Sequence, residues 1–153
     1  VVSNIEIANI TGIAGVTTNT TDWGTTALNI SNSTAGNVTA TAATTTVVTV
    51  GNAFASGSVA VTGGSTQAVT VNAGALSLSG AVGAVSATVA AAGNTDNISI
   101  NGGTSVSLNA TADTASVTDY TTNIGATVAP TGAVISTTAG DYADGNNLAL
   151  GTV

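Results

Sequence analysis

The chain has 153 residues and contains no lysine, arginine, histidine or cysteine, while seven Asp and Glu residues give a net charge of −7 at pH 7. It therefore lacks an imidazole base and any thiol or amine nucleophile, and we expect no enzymatic activity. Nucleic acid is excluded as a partner, because no side chain can neutralise a phosphate.

Short alternations of apolar and polar residues run through the chain, bounded by Gly, Asn and Asp. In chain order they are SNIEIANI, TALNIS, NVTATA, TTVVTV, SVAVT, AVTVN, ALSLS, AVSATVA, NISIN, SVSLNATA, ASVTDY, AVIST and NLALG. Period-two pairs such as Val59 and Val61 place their apolar side chains on one face, so each segment predicts a half-buried β-strand. The stretch TTNTTDWG at 17–24 predicts a loop, and even the best helical candidate, Ala81–Ala92, favours a strand.

The centres of these segments recur about every ten residues, a spacing typical of either a β-solenoid or a β-sandwich. Inward residues of small or medium size suit a narrow solenoid, and repeated Thr, Ser and Asn can stack in ladders between its coils. The Asn101-Gly102 pair between NISI and SVSL is a hairpin signal that favours the sandwich, and Gly63-Gly64 is a weaker one. We therefore predict an all-β fold, a β-solenoid of short strands, with a β-sandwich or Greek-key array as the alternative.

Residues 1–153 read as one repetitive β domain, which we expect to be an excised segment or one subunit of a larger assembly. The acidic, turn-rich stretch Ala139–Asn147 predicts a loop or bulge between coils. No apolar run approaches the roughly 20 residues of a membrane helix, so we expect a protein that does not span a membrane.

Three phrases carry a resemblance to a known class: VSNIEIANITG, TTALNISNSTAGNVTATA and GNTDNISINGGTSVSLNATAD. With their N-x-[ST] and V-x-V segments, they resemble the β-strand repeats of bacterial surface-layer proteins of the type I-secreted, RTX-associated kind. Large repetitive adhesins share this style. The resemblance implies a secreted, calcium-dependent, β-solenoid-like building block of a cell-surface array. The chain departs from the RTX pattern because it has no tandem GGxGxDxUx nonapeptides.

Calcium is the cofactor to consider, because carboxylates are the only ionised side chains and Ca²⁺ prefers carboxylate, carbonyl and amide oxygens. Asp141, Asp144 and Asn146 lie in one glycine-containing stretch and are candidate ligands; the simpler interpretation is a solvated turn. Asp96, in the stretch that resembles a degenerate RTX half-turn, is a further candidate, and a strand-initiating Asp is the alternative there.

The end coils of a solenoid expose unpaired backbone groups, which natural proteins usually protect with Lys, Pro or charge. This chain has one proline, Pro130, and no lysine, and TTTVVTV at 44–50 has strong β-propensity without charge. We expect copies of the chain to associate into a surface-layer lattice or an extracellular filament on a bacterial cell. The alternative is the stalk of a large calcium-dependent adhesin. A cell-surface glycan is a further expected partner.

Overall fold

The computed structural model describes residues 2–32, 36–52, 57–92, 96–112, 121–139 and 147–150. These residues form β-strands joined by turns, and none of them lies in a helix. The strands are β1 Ile7–Gly12, β2 Val16–Asn19, β3 Ala27–Asn32, β4 Val38–Ala42, β5 Val47–Asn52, β6 Val59–Gly63, β7 Thr66–Val71, β8 Leu76–Ala81, β9 Ala84–Ala92, β10 Asn97–Gly102, β11 Ser105–Ala112, β12 Thr121–Ile124, β13 Val134–Ala139 and β14 Asn147–Leu150.

The strands alternate between two parallel sheets. Sheet A holds the odd-numbered strands in the order β1-β3-β5-β7-β9-β11-β13, and sheet B holds the even-numbered strands in the order β14-β12-β10-β8-β6-β4-β2. Each consecutive pair of strands therefore makes one coil, and the coils stack into a β-solenoid. The predicted solenoid is confirmed, and the alternative, a sandwich with Greek-key connections, is wrong.

Coil length varies while the strands stay in register. Asn29 stacks on Asn9 after 20 residues, Ser79 on Thr62 after 17, and Val134 on Val106 after 28. Two strands per coil account for the spacing of about ten residues in the sequence. The differences lie in the turns, because parallel pairing holds the strands themselves at matching positions.

The core is a continuous strip of apolar side chains between the two sheets. One residue in two points inward along each strand, as the alternation predicts. A representative column of sheet A contains Leu28, Val48, Gln67, Val85 and Val106, each at most 2% exposed, and Gln67 is its one polar member. Val, Leu, Ile and Ala fill the interior, so that the two sheets can pack closely without large aromatic residues.

Two residue pairs that signal hairpins in the sequence, Gly63-Gly64 and Asn101-Gly102, connect sheet B to sheet A instead. Gly63-Gly64 ends β6 before β7, and Asn101-Gly102 ends β10 before β11; neither turn joins two neighbouring strands of one sheet. Gly102 has φ of 86°, which the left-handed turn needs. A turn residue of this kind marks a change of direction, but it does not determine which strand becomes the hydrogen-bonded neighbour.

Two strands differ from the sequence prediction. Residues 17–19, assigned above to a loop, belong to β2, and Thr121–Ile124 forms β12 although no strand was predicted there. Both have few apolar side chains and are rich in Thr and Asn, so that their alternation is weak. The predicted segment ASVTDY, at 115–120, lies outside the described residues. The predicted loop at 139–147 connects β13 to β14, and its residues 140–146 also lie outside them.

Candidate functional surfaces

The outward side of sheet A, here called face A, has no charged side chain in its described strands. Its central column is Asn9, Asn29, Thr49, Ala68, Ser86 and Ser107, flanked by the columns that begin at Ile7 and at Thr11. The corresponding face B has the column Thr17, Thr39, Ala60, Ser77, Ser99 and Asn123. Both faces present mainly hydroxyl, amide and methyl groups.

None of the fourteen strands that the structure describes contains an acidic residue. Glu6 directly precedes β1, Asp22 lies in the turn between β2 and β3, and Asp96 lies in the turn between β9 and β10. The other four acids fall in the sequence between β11 and β12 or between β13 and β14. The described strands of both faces therefore carry no acidic side chain.

Exposed large hydrophobic residues distinguish the two faces. Ile7, Val47 and Ile135 on face A are 57%, 44% and 63% exposed. Ile7 and Val47 lie in the same column, with Ala27 between them. The described part of face B has no exposed large hydrophobic side chain. Face A is therefore the more apolar of the two surfaces.

Polar ladders connect neighbouring coils on both faces. Asn29 Nδ2 donates to Asn9 Oδ1 at 2.9 Å on face A. On face B, Asn123 Nδ2 donates to Asn97 Oδ1 at 3.2 Å. The hydroxyl pairs Thr11–Ser31 and Thr62–Ser79 lie at 3.3 and 3.4 Å. These contacts confirm the expectation that polar side chains stack between coils.

The outer edge of β2 carries backbone groups with no strand beside them among the described residues, since β2 pairs with β4 alone. Val16 N donates to Asn37 O and Thr20 N donates to Thr41 O, both toward β4 and both at 2.9 Å. Backbone direction alternates along a strand, so the N–H of Thr17 points away from β4, to the open edge. In the same way β1 pairs only with β3. This end of the solenoid therefore offers a parallel template in both sheets.

The carboxylate of Asp96 takes part in stacking the coils. Its Oδ2 accepts a hydrogen bond from Gly74 N at 3.1 Å, in the preceding coil. Its backbone O accepts one from Thr121 N at 3.0 Å, in the following coil. Asn37 behaves similarly at an equivalent turn, where Oδ1 accepts from Ser58 N at 2.9 Å. This geometry agrees with the strand-initiating role considered for Asp96, and calcium binding there stays a prediction.

The other calcium candidates, Asp141, Asp144 and Asn146, lie outside the described residues. Within the described ranges no group of three or more acidic side chains comes together in a way that could hold a metal ion. The same part of the chain contains no helix with the length and apolar character needed to cross a membrane.

The described surface includes grooves at two places that bear on function. One, of about 580 Å³, lies at the turns from sheet B to sheet A and is lined by apolar groups that include Ala81, Val82 and Val128. Its wall at 125–133 is held by Asn101, whose Oδ1 accepts a hydrogen bond from Thr127 N at 2.8 Å. Another groove, of about 280 Å³, lies on face B where β6, β8 and β10 begin, and its lining combines apolar groups such as Ala60 with the hydroxyls of Ser77 and Ser99. Alternation along the strands predicts neither groove, because both depend on how the coils stack.

A scan against protein-family models, a search of curated proteins and a search of solved structures all found no match for this chain. What the chain does is therefore inferred from its own surfaces: an open parallel edge, two uncharged faces and charged connections.

Proposed function

We propose that this chain is a structural module of a bacterial cell surface, whose coils continue end to end into a surface-layer lattice or an extracellular filament. The observation that supports this proposal best is the open parallel edge formed by β1 and β2. A parallel strand added there would extend both sheets without a change in the architecture. That strand comes from further coils of a longer chain or from a second copy.

The edge has none of the usual protection against such pairing. Natural edge strands carry Lys, Pro, bulges or inward-pointing charge. Strands β1 and β2 read IANITG and VTTN, with no charge and no proline. Nothing on these strands would therefore repel an approaching strand.

The bacterial, secreted and extracellular setting rests on the resemblance in sequence style and on the lack of basic residues. The competing proposal is the stalk of a large calcium-dependent adhesin. A stalk is a linear array with little contact between copies, whereas a lattice or filament protein repeats one contact between copies. Electron microscopy of the purified protein separates the two proposals, since a periodic array or a filament supports the first.

Thr17→Pro tests end-to-end stacking. Proline removes an N–H that points to the open edge and places its ring there, while the bonds between β2 and β4 remain. We expect the variant to fold and to form far fewer or far shorter filaments than the wild type, as measured by electron microscopy and sedimentation velocity.

Thr17→Ala is the matched control, because it shortens the same exposed side chain and keeps the N–H. It should assemble as the wild type does. Filaments of unchanged length in Thr17→Pro, or a wild-type protein that stays monomeric at all concentrations, would count against end-to-end stacking.

Calcium bridging between copies belongs to the same proposal. Four of the seven acids fall in the two connections after β11 and β13, and without basic residues they need an external counter-charge. We expect EDTA to lower the melting temperature and the filament yield, and Ca²⁺ to restore both better than Mg²⁺. Combined Asp141→Asn and Asp144→Asn substitutions should reduce this response, whereas Asp22→Asn should not. Calcium is removed from the proposal if EDTA changes neither quantity.

A cell-surface glycan remains a proposed partner. The groove on face B is the surface that suits it, because the hydroxyl and amide groups of Ser77, Ser99 and Asn97 stand there beside apolar groups. Such groups can hydrogen-bond to a neutral sugar chain.

A further inference from the structure

We propose that face A binds face A of a second copy of this chain, so that solenoids pair side by side through a flat, uncharged contact. The inference rests on the proposed structural function, which it deepens by naming the surface of lateral association. This contact is separate from end-to-end stacking, which uses strand edges and not a sheet face.

Charge is the first argument for a second copy as the occupant. Two chains that each carry a net charge of −7 repel one another if their charged turns meet. The described strands of face A carry none of that charge, because no acidic residue occurs in them. It is therefore a surface on which two copies can approach without placing like charges in a dry contact. A strongly charged partner would find no complementary group there.

The apolar residues on this face are the second argument. Ile7, Val47 and Ile135 remain 44–63% exposed in the single chain. Around them the side chains are small, which lets two flat sheets approach closely, as in the dry interfaces between stacked sheets. Covering the three large residues removes apolar surface from water, which favours association.

The dimensions of the face are sufficient. Seven strands at about 4.8 Å spacing and about six residues at 3.3 Å give roughly 29 by 20 Å, or about 600 Å² per copy. A pair would thus bury about 1,200 Å² in total, which is the lower end of the range for specific protein interfaces.

The strand order suits a two-fold pair. The middle strand of sheet A is β7, with three strands on either side. A two-fold axis in the contact plane along β7 places β1 of one copy opposite β13 of the other. Ile135 belongs to the column of Asn9, so Ile7 of one copy lies about two residues along the strand from the partner's Ile135. Ala68, on β7, lies next to the axis.

The test uses Thr17→Pro as the background, so that end-to-end stacking is already blocked. We expect this protein to be a dimer in sedimentation velocity. Adding Ala68→Glu puts two negative charges near the axis and should halve the measured mass. Adding Ser77→Glu makes the same charge change at an exposed position on face B and should leave the dimer intact. Unchanged circular dichroism establishes that both variants fold.

Each outcome bears on one proposal. A monomeric Thr17→Pro protein overturns face-to-face pairing, while end-to-end stacking still stands if the wild type forms filaments. A dimer that survives Ala68→Glu, or one that is lost with Ser77→Glu alone, also overturns the assignment to face A. A monomeric Thr17→Pro protein that binds an insoluble neutral polysaccharide, and loses this binding with Ala68→Glu, assigns the face to a glycan and not to a second copy.

Discussion

At the scale of single residues, Gln67 shows where polarity and position disagree. It precedes Val69 and Val71 in the period-two pattern of β7, so its position predicts an inward side chain although its amide predicts an outward one. The structure buries it to 1% exposure between Val48 and Val85. Its Nε2 donates to Gly63 O at 2.7 Å and to Ser79 O at 2.9 Å. The sequence pattern could not reveal these two acceptors, which belong to other strands.

Gln67→Ala should therefore destabilise the protein substantially. The substitution leaves a cavity and two carbonyl groups without this donor, and the expected loss is about 2–4 kcal/mol in the free energy of unfolding. Thr70→Ala, at an exposed position of the same strand, should change it by less than about 0.5 kcal/mol. Urea denaturation measures both, and equal stability of the two variants would contradict the structural role of Gln67.

At the scale of elements, the sequence predicts most strands because each strand has one buried face. Burial of one face requires an apolar residue at every second position, which is the alternation seen in the sequence. Strands β2 and β12 escaped prediction because Thr18 and Thr122 occupy inward positions, where the neighbouring strands have Ala40 and Ile98. The turns were harder to interpret. A Gly-Gly or Asn-Gly pair fixes local backbone geometry, whereas the identity of the neighbouring strand depends on pairing with a coil about 20 residues away.

Turns from sheet A to sheet B depend on glycines that stack closely from coil to coil. Gly74 has φ of 108°, and a Cβ there would overlap the carbonyl oxygen of Gly57. Gly74→Ala should cost more than about 2 kcal/mol, because the chain must shift in two coils at once. Gly51→Ala is the matched control, since a Cβ at that exposed position meets no atom within 4 Å. Comparable melting temperatures for the two variants would show that this turn tolerates a side chain.

At the scale of the whole molecule, the candidate surfaces follow from the stacking of coils. Alternation predicts that polar residues face outward, but the columns they form depend on coil lengths that vary from 17 to 28 residues. The uncharged faces could be anticipated only in part, because five of the seven acids lie outside the predicted strands while Glu6 and Asp119 lie within SNIEIANI and ASVTDY. The concentration of Ile7, Val47 and Ile135 on one face could not, because it requires knowledge of which strands belong to which sheet.

Deleting residues 27–46 should remove one complete coil and leave a folded, shorter solenoid. The deletion joins Thr26 directly to Val47. Because Val47 is in register with Ala27, every later strand stays in its own sheet. We expect a β-type circular dichroism spectrum, a lower melting temperature and a molecule about 4.8 Å shorter in X-ray scattering. Deleting 27–36 moves every later strand to the opposite sheet and should prevent folding. A folded half-coil deletion would contradict the assigned register.

The folded chain is much shorter along the solenoid axis than the same chain fully extended, because each coil contains two strands. A coil such as that from Asn9 to Asn29 takes 20 residues but adds only about 4.8 Å along the axis. The same residues span up to about 70 Å when fully extended. A pull on the two ends along the axis would peel coils away one at a time, breaking a short row of hydrogen bonds for each step of extension. A surface built from such chains would yield under shear by lengthening, and its coils could wind back when the load is removed.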